Sequence, residues 1–380
     1  MNRLIDSIRR VKRTFRSIDT DGDPGPDLEL QGKKVLVVYL FEAVGDAVLL
    51  GPVLKALLNG GAKGPIGVLA RANAARTLRL LDLPLKIHLL PDSLHLPPAL
   101  ADSPASKKAW KAPEVQADVQ KLSEELLKKK YDIAVDLTHR TQVDSRRWLT
   151  ACEAPVRLGW VNNGAPPTDG GLTWGAEDVR LMVDRHWSRC MMVPLRGLGL
   201  RQPDYDLVFK ISDKARAKAQ ALFGAGPKVL LIPGSRDEDK RIDVGCYERV
   251  GQWVLNEAEG TVVAVGAPAE GKLIRGLVKR IGAGATAYTQ KDLGALLALV
   301  EAADVVVTND TGPMHFAFLA KTPTVAIFTK MSPLCWGPPQ TDPRFVVLRT
   351  PSDDTEDAEG IYTRAAIHYV DGLIGKFCPS

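Results

Sequence analysis

Residues 303–328 read ADVVVTNDTGPMHFAFLAKTPTVAIF, from Ala303 to Phe328. Residues 304–308 and 324–328 are short apolar, β-branched runs with the length of buried strands. Between them lies a tight polar loop, 309–312, and then a helix opening at Pro313, where the missing N–H is no loss. Asp310 and Thr311 stand just upstream, where side-chain oxygens cap free backbone donors. Strand, loop, helix and second strand make one unit of a parallel α/β sheet. A helix N-terminus aimed out of such a sheet is an anion site, and His315 lies in its first turn. The stretch therefore reads as the holder of a phosphate-bearing ligand. A well-capped helix start with no ligand uses the same residues.

Outward from it the alternation repeats. Residues 34–39, KVLVVY, form a strand, 41–45 a loop and 46–58 a helix. Strands follow at 66–70, 87–90 and 131–137, with a helix over 115–130 whose basic end suits its C-terminus. The pattern turns irregular over 200–212. A second set follows: strand 228–232, helix 247–257, strand 261–265, helices 272–281 and 293–302, the opening stretch, and a last helix over 365–377. The fold class is α/β, with two Rossmann-like domains and a cleft between them expected. The expected divisions are 1–32 (a basic helix and linker), 33–205, 206–355, and a tail over 356–380 whose helix crosses back to the first domain. Residues 97–113, rich in Pro, Ser and Lys, read as an exposed insertion.

A chain of 380 residues with 45% hydrophobic and 25% charged content suits two soluble globular domains. A net charge of +5 is mild at this length, and neither zinc-finger spacing nor an RNA-binding aromatic signature occurs, so no nucleic-acid partner is expected. Cysteines stand at 152, 190, 246, 335 and 378 without a C-x-x-C, and no two histidines lie four apart. Neither a disulfide framework nor a metal site is expected, and no cofactor. The start, MNRLIDSIRRVKRTF, has no apolar export core, which points to the cytoplasm. Within 2–18, Leu4, Ile5, Ile8, Val11, Phe15 and Ile18 recur at helical spacing among six arginines and lysines. Such a basic amphipathic helix lies on anionic membrane surfaces. A stripe packed on the protein itself, or a frayed end, gives the same pattern.

Two phosphate-site fingerprints fail. No G-x-G-x-x-G follows either domain's first strand. Gly266–Leu273, GAPAEGKL, has P-loop spacing, but Leu273 stands where a magnesium-binding hydroxyl belongs and Pro268 removes an N–H.

The run N-D-T-G-P-M-H at 309–315, with its small-residue helix and Pro-led strand, closely resembles the donor-binding segment of glycosyltransferase family 9. These are the ADP-heptose:lipopolysaccharide heptosyltransferases. Other ordered segments share the likeness: KVLVVYLFEAVGDAVLLGPVLKALL near the start, YDIAVDLTHRTQVDSRRWLTACEAPVRLGW in the middle, then LIPGSRDEDKR and GAPAE. The resemblance spans about 33–350. It implies a GT-B architecture, with the acceptor on the first domain, a nucleotide sugar on the second, and inverting transfer by direct displacement.

The residue roles it implies are specific. Asp46 is the catalytic base. Ser235 and Lys240 meet the phosphates, and Lys240 offsets leaving-group charge. Glu270 holds the ribose. Asn309, Asp310, Thr311, Gly312 and His315 complete the donor segment. Asp136, His139 and Arg140, at the end of a strand, contact the acceptor, and the arginines around them suit an acidic glycolipid such as Kdo-bearing lipid A. The partners implied are an ADP-heptose-like donor and that glycolipid, at the inner face of the inner membrane. The residues alone also allow a plain N-cap at Asp46, a dipole-favoured glutamate at 270 and a solvated loop at 236–241. A helix N-terminus lowers a carboxylate's pKa, so a base at Asp46 needs loss of water to raise it.

The chain departs from the family's run in two places. Lys240-Arg-Ile-Asp replaces Lys-Arg-Trp-Pro, and Phe328-Thr-Lys-Met-Ser-Pro replaces Phe-Gly with a Thr-x-Pro-like turn. Lys330 either reaches the diphosphate or faces water. Use of another nucleotide sugar, epimerisation of it, and non-catalytic nucleotide-sugar binding remain as alternative functions.

Overall fold

A computed structural model describes residues 27–94, 111–138, 143–161, 172–177, 185–339, 341–350 and 358–377. The expectations for 2–18, for His139 and Arg140, and for most of 97–113 fall outside these residues.

The first sheet and its helices run β1 (Lys34–Tyr39), α1 (Val44–Asn59), β2 (Lys63–Ala70), α2 (Ala72–Leu78), β3 (Leu85–Leu89), α3 (Pro113–Lys129), β4 (Ile133–Asp136), α4 (Val143–Ala151), β5 (Val156–Val161), β6 (Trp174–Glu177) and α5 (Trp187–Met191). The second set is α6 (Asp213–Gln220), β7 (Lys228–Ile232), α7 (Val244–Asn256), β8 (Thr261–Gly266), α8 (Gly271–Ile281), β9 (Ala285–Thr289), α9 (Leu293–Ala302), β10 (Val305–Asn309), α10 (Gly312–Leu319), β11 (Thr324–Phe328), α11 (Pro333–Trp336), β12 (Phe345–Arg349) and α12 (Ala358–Phe377). Among the described residues each sheet has six strands, in the orders β3-β2-β1-β4-β5-β6 and β12-β11-β10-β7-β8-β9. All the pairings are parallel. Counted from its own first strand, each sheet has the same doubly wound order, so the Rossmann-like expectation holds for both. The central strands β1, β7 and β10 are buried almost end to end because helices cover both faces of a parallel sheet.

The chain divides into two compact units: Met1–Phe41, Val53–Ala72 and Pro84–Asp204 in one, and Glu42–Pro52, Asn73–Leu83 and Tyr205–Ser380 in the other. The division passes through α1 at Pro52, which has no N–H for the helix ladder. The first core gathers Leu36, Val38, Leu69, Leu122, Leu126 and Trp148 around β1 and α3. The second gathers Val229, Leu231, Tyr247, Val262, Val305 and Val325. Tyr362, Ala366, Val370 and Leu373 of α12 pack into this second core, so the last helix belongs to the second unit. Among the described residues no helix is long and apolar enough to cross a membrane.

Candidate functional site

In a doubly wound sheet, ligands bind outside the carboxyl ends of the strands where strand order reverses. In the second sheet that point lies between β7 and β10. A pocket of about 880 Å³ opens there, lined only by residues of the second unit.

The first wall is the loop after β7. Ser235, Arg236, Lys240 and Arg241 all line the pocket. The loop is shaped by its own bonds: Arg241 Nε donates to the Ser235 carbonyl (2.8 Å), and the Asp237 carboxylate accepts from the Asp239 N–H (3.1 Å). Asn309, at the end of β10, closes the base of the loop. Its Nδ2 donates to the Pro233 carbonyl (2.8 Å), while its Oδ1 accepts from the Ile242 N–H (3.3 Å) and the Tyr247 hydroxyl (2.9 Å). Asn309 is fully buried and does not line the pocket. The structure thus places this sequence-predicted donor contact one layer beneath the site, as a scaffold residue. The first departure from the family's run, at Ile242 and Asp243, has local structural roles. Ile242 enters the second core, and Asp243 caps α7 by accepting from the Gly245 N–H (2.6 Å).

The second wall is the turn after β8. The Glu270 carboxylate accepts from the Ala267 N–H (2.8 Å). A Cβ added to Gly234 would lie 2.2 Å from Glu270 Oε1, and one on Gly266 2.9 Å from Oε2. The carboxylate is therefore laid across two strand ends where no side chain could stand. An amide that a P-loop would offer to phosphate is taken by the chain's own glutamate.

The third wall is the start of α10. Thr311 is its N-cap residue, but no side chain caps the helix. The capping expected of Asp310 and Thr311 does not form, because the Asp310 carboxylate turns to Lys240 Nζ instead (2.9 Å). Asp310 is almost fully buried. Burial pushes its carboxyl above the usual range, against the pull of Lys240. The first-turn backbone donors of α10 carry the positive end of the helix dipole, and Thr311, Gly312 and His315 line the pocket beside them.

The start of α1 closes the fourth side. A Cβ on Gly45 would fall 2.6 Å from His315 Cδ2 and 3.3 Å from Gly312 Cα, and one on Gly312 would fall 3.2 Å from the Gly45 nitrogen. Two helix N-termini meet backbone to backbone because both positions are glycine. The contact brings Asp46 into the field of Lys240, Arg236 and Asp310. Its carboxyl is pushed up to about 6, chiefly by burial and further by Asp310, while Lys240 and Arg236 pull it down. Asp46 keeps some exposed surface at the pocket, yet protein atoms surround the carboxyl closely enough for desolvation to outweigh Lys240 and Arg236. The loss of water that a base at Asp46 needs is thus supplied by the protein around it.

The sequence reading missed several lining residues. Asn73 and Arg76 of α2 line the pocket, with Arg76 Nη2 donating to Asn73 Oδ1. Arg236, Gln290 and Lys291 add polar groups, while Val265, Leu293 and Leu296 add apolar ones. Trp336 stands edge-on to His315, with ring centroids 6.4 Å apart. The rule that ligands gather past strand C-termini points to α2, which follows β2, and to Gln290, which follows β9.

Asp136, predicted at the acceptor, lies in the first unit and is fully buried. Its Oδ1 accepts from the Thr138 N–H (2.8 Å) and its Oδ2 from the Ser145 hydroxyl (2.5 Å). Burial pushes this carboxyl up to about 6 despite both bonds. It ties β4 to α4 rather than presenting an oxygen to a ligand.

Comparison with known proteins follows the same lines. The family model for glycosyltransferase family 9 (heptosyltransferase) matches residues 119–361. No curated protein sequence matches the chain. Among solved structures, the chain is similar to a glycosyl transferase family 9 protein from Veillonella parvula DSM 2008, with TM-score 0.72 and 18% identity over 92% of this chain and 99% of that one. It is similar to the E. coli ADP-heptose LPS heptosyltransferase II, with TM-score 0.66 and 18% identity over 90% and 98%. It is also similar to E. coli heptosyltransferase WaaC solved with ADP, with TM-score 0.63 and 16% identity over 90% and 99%. At these identities the likeness shows the fold, which is GT-B with two Rossmann-like domains.

Proposed function

The chain belongs to glycosyltransferase family 9, the heptosyltransferases, and from that premise we propose that it moves a heptose from ADP-heptose to an acidic glycolipid of the lipopolysaccharide inner core, with inversion. The observation that carries the reading is the glycine-to-glycine contact of α1 and α10, which sets Asp46 beside the charged end of an anion site.

Each wall then has a task. Asp46 takes the proton from the acceptor hydroxyl as its oxygen attacks the anomeric carbon. The bond from that carbon to the diphosphate oxygen breaks, and its electron pair leaves with ADP. Lys240, the Ser235 hydroxyl and the first-turn N–H groups of α10 meet the charge that develops there. Glu270 keeps one oxygen over Gly234 to accept from ribose hydroxyls. The apolar side chains of Val265, Leu293 and Leu296 take the base. A carboxyl near 6 is mostly ionised at neutral pH and still basic enough to receive a proton. The acceptor class rests on the family and on the arginines of the first unit. A membrane-borne acceptor places the reaction at the cytoplasmic face of the inner membrane. E. coli WaaC, a structural neighbour, was solved with ADP, which supports an ADP-linked donor.

Thermal unfolding against ADP, UDP and GDP tests the donor. A ligand at about a hundred times its dissociation constant stabilises by about 2.7 kcal/mol. Selective stabilisation by ADP, lost in Glu270→Ala, is the expected result, followed by ADP release from ADP-heptose with a lipid A–Kdo acceptor. Stabilisation by UDP or GDP alone would move the donor to another nucleotide sugar. No shift with any nucleotide would remove the transferase assignment of this pocket.

A further inference from the structure

The loop over 233–243 brings Ser235, Arg236 and Lys240 to the pocket, and it is fastened twice. Asn309 holds its base, as described above. Its tip is held from outside by the residues that follow β11. Thr329 Oγ1 donates to the Asp239 carbonyl (2.7 Å), and Lys330 Nζ pairs with the Asp239 carboxylate (2.6 Å). The Asp239 carboxyl is held below its usual range by the hydrogen bond from Lys330, and the Lys330 ammonium is raised by the same bond.

The place of these bonds matters more than their number. The Asp239 carbonyl belongs to the peptide bond that joins Asp239 to Lys240. That unit is planar, so fixing its oxygen fixes the plane from which Lys240 departs. The side-chain pair then stops Asp239 from turning about its own backbone bonds. Lys330, read from sequence as facing either diphosphate or water, is instead bound to the residue next to Lys240. The second stretch in which the chain departs from its family's run therefore holds the residue just before Lys240.

We propose that Thr329 and Lys330 are positioning residues, a latch on Asp239 that keeps Lys240 aimed at Asp310 and at the diphosphate of the donor. The inference rests on the donor reading above for its ligand, but not for the latch itself. Both partners of the ion pair are well exposed, with 61% and 66% of their side-chain surface in solvent. Its contribution is accordingly a few-fold, and it weakens in salt, where the screening length falls to about 3 Å at 1 M.

The test uses the full chain and two readouts. Hydrogen exchange, read without ligand, follows the amides of Asp239, Lys240 and Arg241, each of which is bonded within the loop. Lys330→Ala and Thr329→Val should speed these amides while leaving those of β10 unchanged. In wild type, 1 M salt should reproduce the Lys330→Ala effect but not that of Thr329→Val. Calorimetry with ADP should show the dissociation constant raised about two- to fivefold in Lys330→Ala. Lys330→Arg should restore it, and the swap Asp239→Lys with Lys330→Asp should recover part. Unchanged exchange in both variants, or a lowered melting temperature with loop exchange and ADP affinity intact, would overturn the latch. A wild-type protein that binds no ADP would overturn the donor reading instead, and the exchange result would still decide the latch.

Discussion

The two sheets share one strand order, yet their reversal points have opposite characters. At the first, between β1 and β4, Asp136 has both oxygens engaged by Thr138 and Ser145, and Thr138 Oγ1 in turn accepts from the Leu40 N–H (3.0 Å). At the second, between β7 and β10, Asp310 pairs with Lys240 (2.9 Å) at the wall of a pocket, and the helix behind it has no side-chain cap. Burial raises both carboxyls. Topology therefore marks where a ligand can bind, and the polar side chains at the strand ends decide whether the carboxylate there is sealed by its neighbours or left facing a cation. A sealed carboxylate joins strand to helix. An uncapped helix end beside a lysine serves an anion.

The largest effect that sharpens this contrast is expected at Asp46. Asp46→Asn should lower kcat by about 10²- to 10⁴-fold while ADP still binds. The base acts deprotonated, so wild-type kcat/KM should rise with pH through about 6, and the variant should lack that limb. Lys240→Met comes next, with a loss of about 10²- to 10³-fold in kcat from missing leaving-group charge. It also strips the buried Asp310 of its cation, so the carboxyl there should titrate still higher. If kcat in Lys240→Met matched wild type, the open reversal point would hold no leaving group.

How much of this was legible in the sequence follows from which properties are local. β1, β7 and β10 announced themselves because strands buried on both faces are continuous apolar runs. The edge strands β6, β9 and β12 were not read. β9 (ATAYT) and β12 (FVVLR) are only half-buried along most of their length; β9 carries no such run, whereas β12 carries FVVL and was passed over all the same. Lys240, Glu270 and Asp310 stood out through motif resemblance, and all three line the pocket. Asn309 stood in the same motif, but a polar residue at a strand end looks the same whether it touches a ligand or supports the residues that do. Arg76 sits in ANAARTL, an ordinary helix, and only the fold brings it to the pocket. The sign of the Asp46 shift was out of reach as well, since the helix end is a local feature and burial is not.

A smaller effect tests the contact that joins the base to the anion site. In Gly45→Ala the new Cβ would meet His315 Cδ2 at 2.6 Å, with Gly312 backbone behind it at 3.3 Å. The ring must turn or the two helix ends must part. A displacement near 1 Å costs about a hundredfold in rate, so a loss of about ten- to a hundredfold in kcat is expected, with ADP affinity changed far less. Equal losses in kcat and in ADP affinity would mean that the contact merely shapes the donor pocket.

The smallest catalytic effect belongs to Asp136, and there stability is the measurement that speaks. Asp136→Asn should change kcat less than about twofold, within the range of substitutions made away from reacting groups. A large loss with the fold intact would break the contrast, because the first reversal point would then be working in transfer. The pH dependence has a definite sign. The folded carboxyl lies near 6 and its ordinary value is 3.8. Between these values the folded chain holds a proton that the unfolded chain has released. Stability from this group is thus present at low pH and is lost as pH rises toward 6. Two pKa units correspond to about 3 kcal/mol in all. Asp46 and Asp310 titrate upward in the same direction, so the informative quantity is the difference between wild type and Asp136→Asn, in which their shared contribution cancels. That difference should favour wild type at pH 4 and shrink steadily toward pH 6.5. A flat difference would mean that Thr138 and Ser145 fully offset the burial of the charge, and the sealed point would then cost the fold nothing.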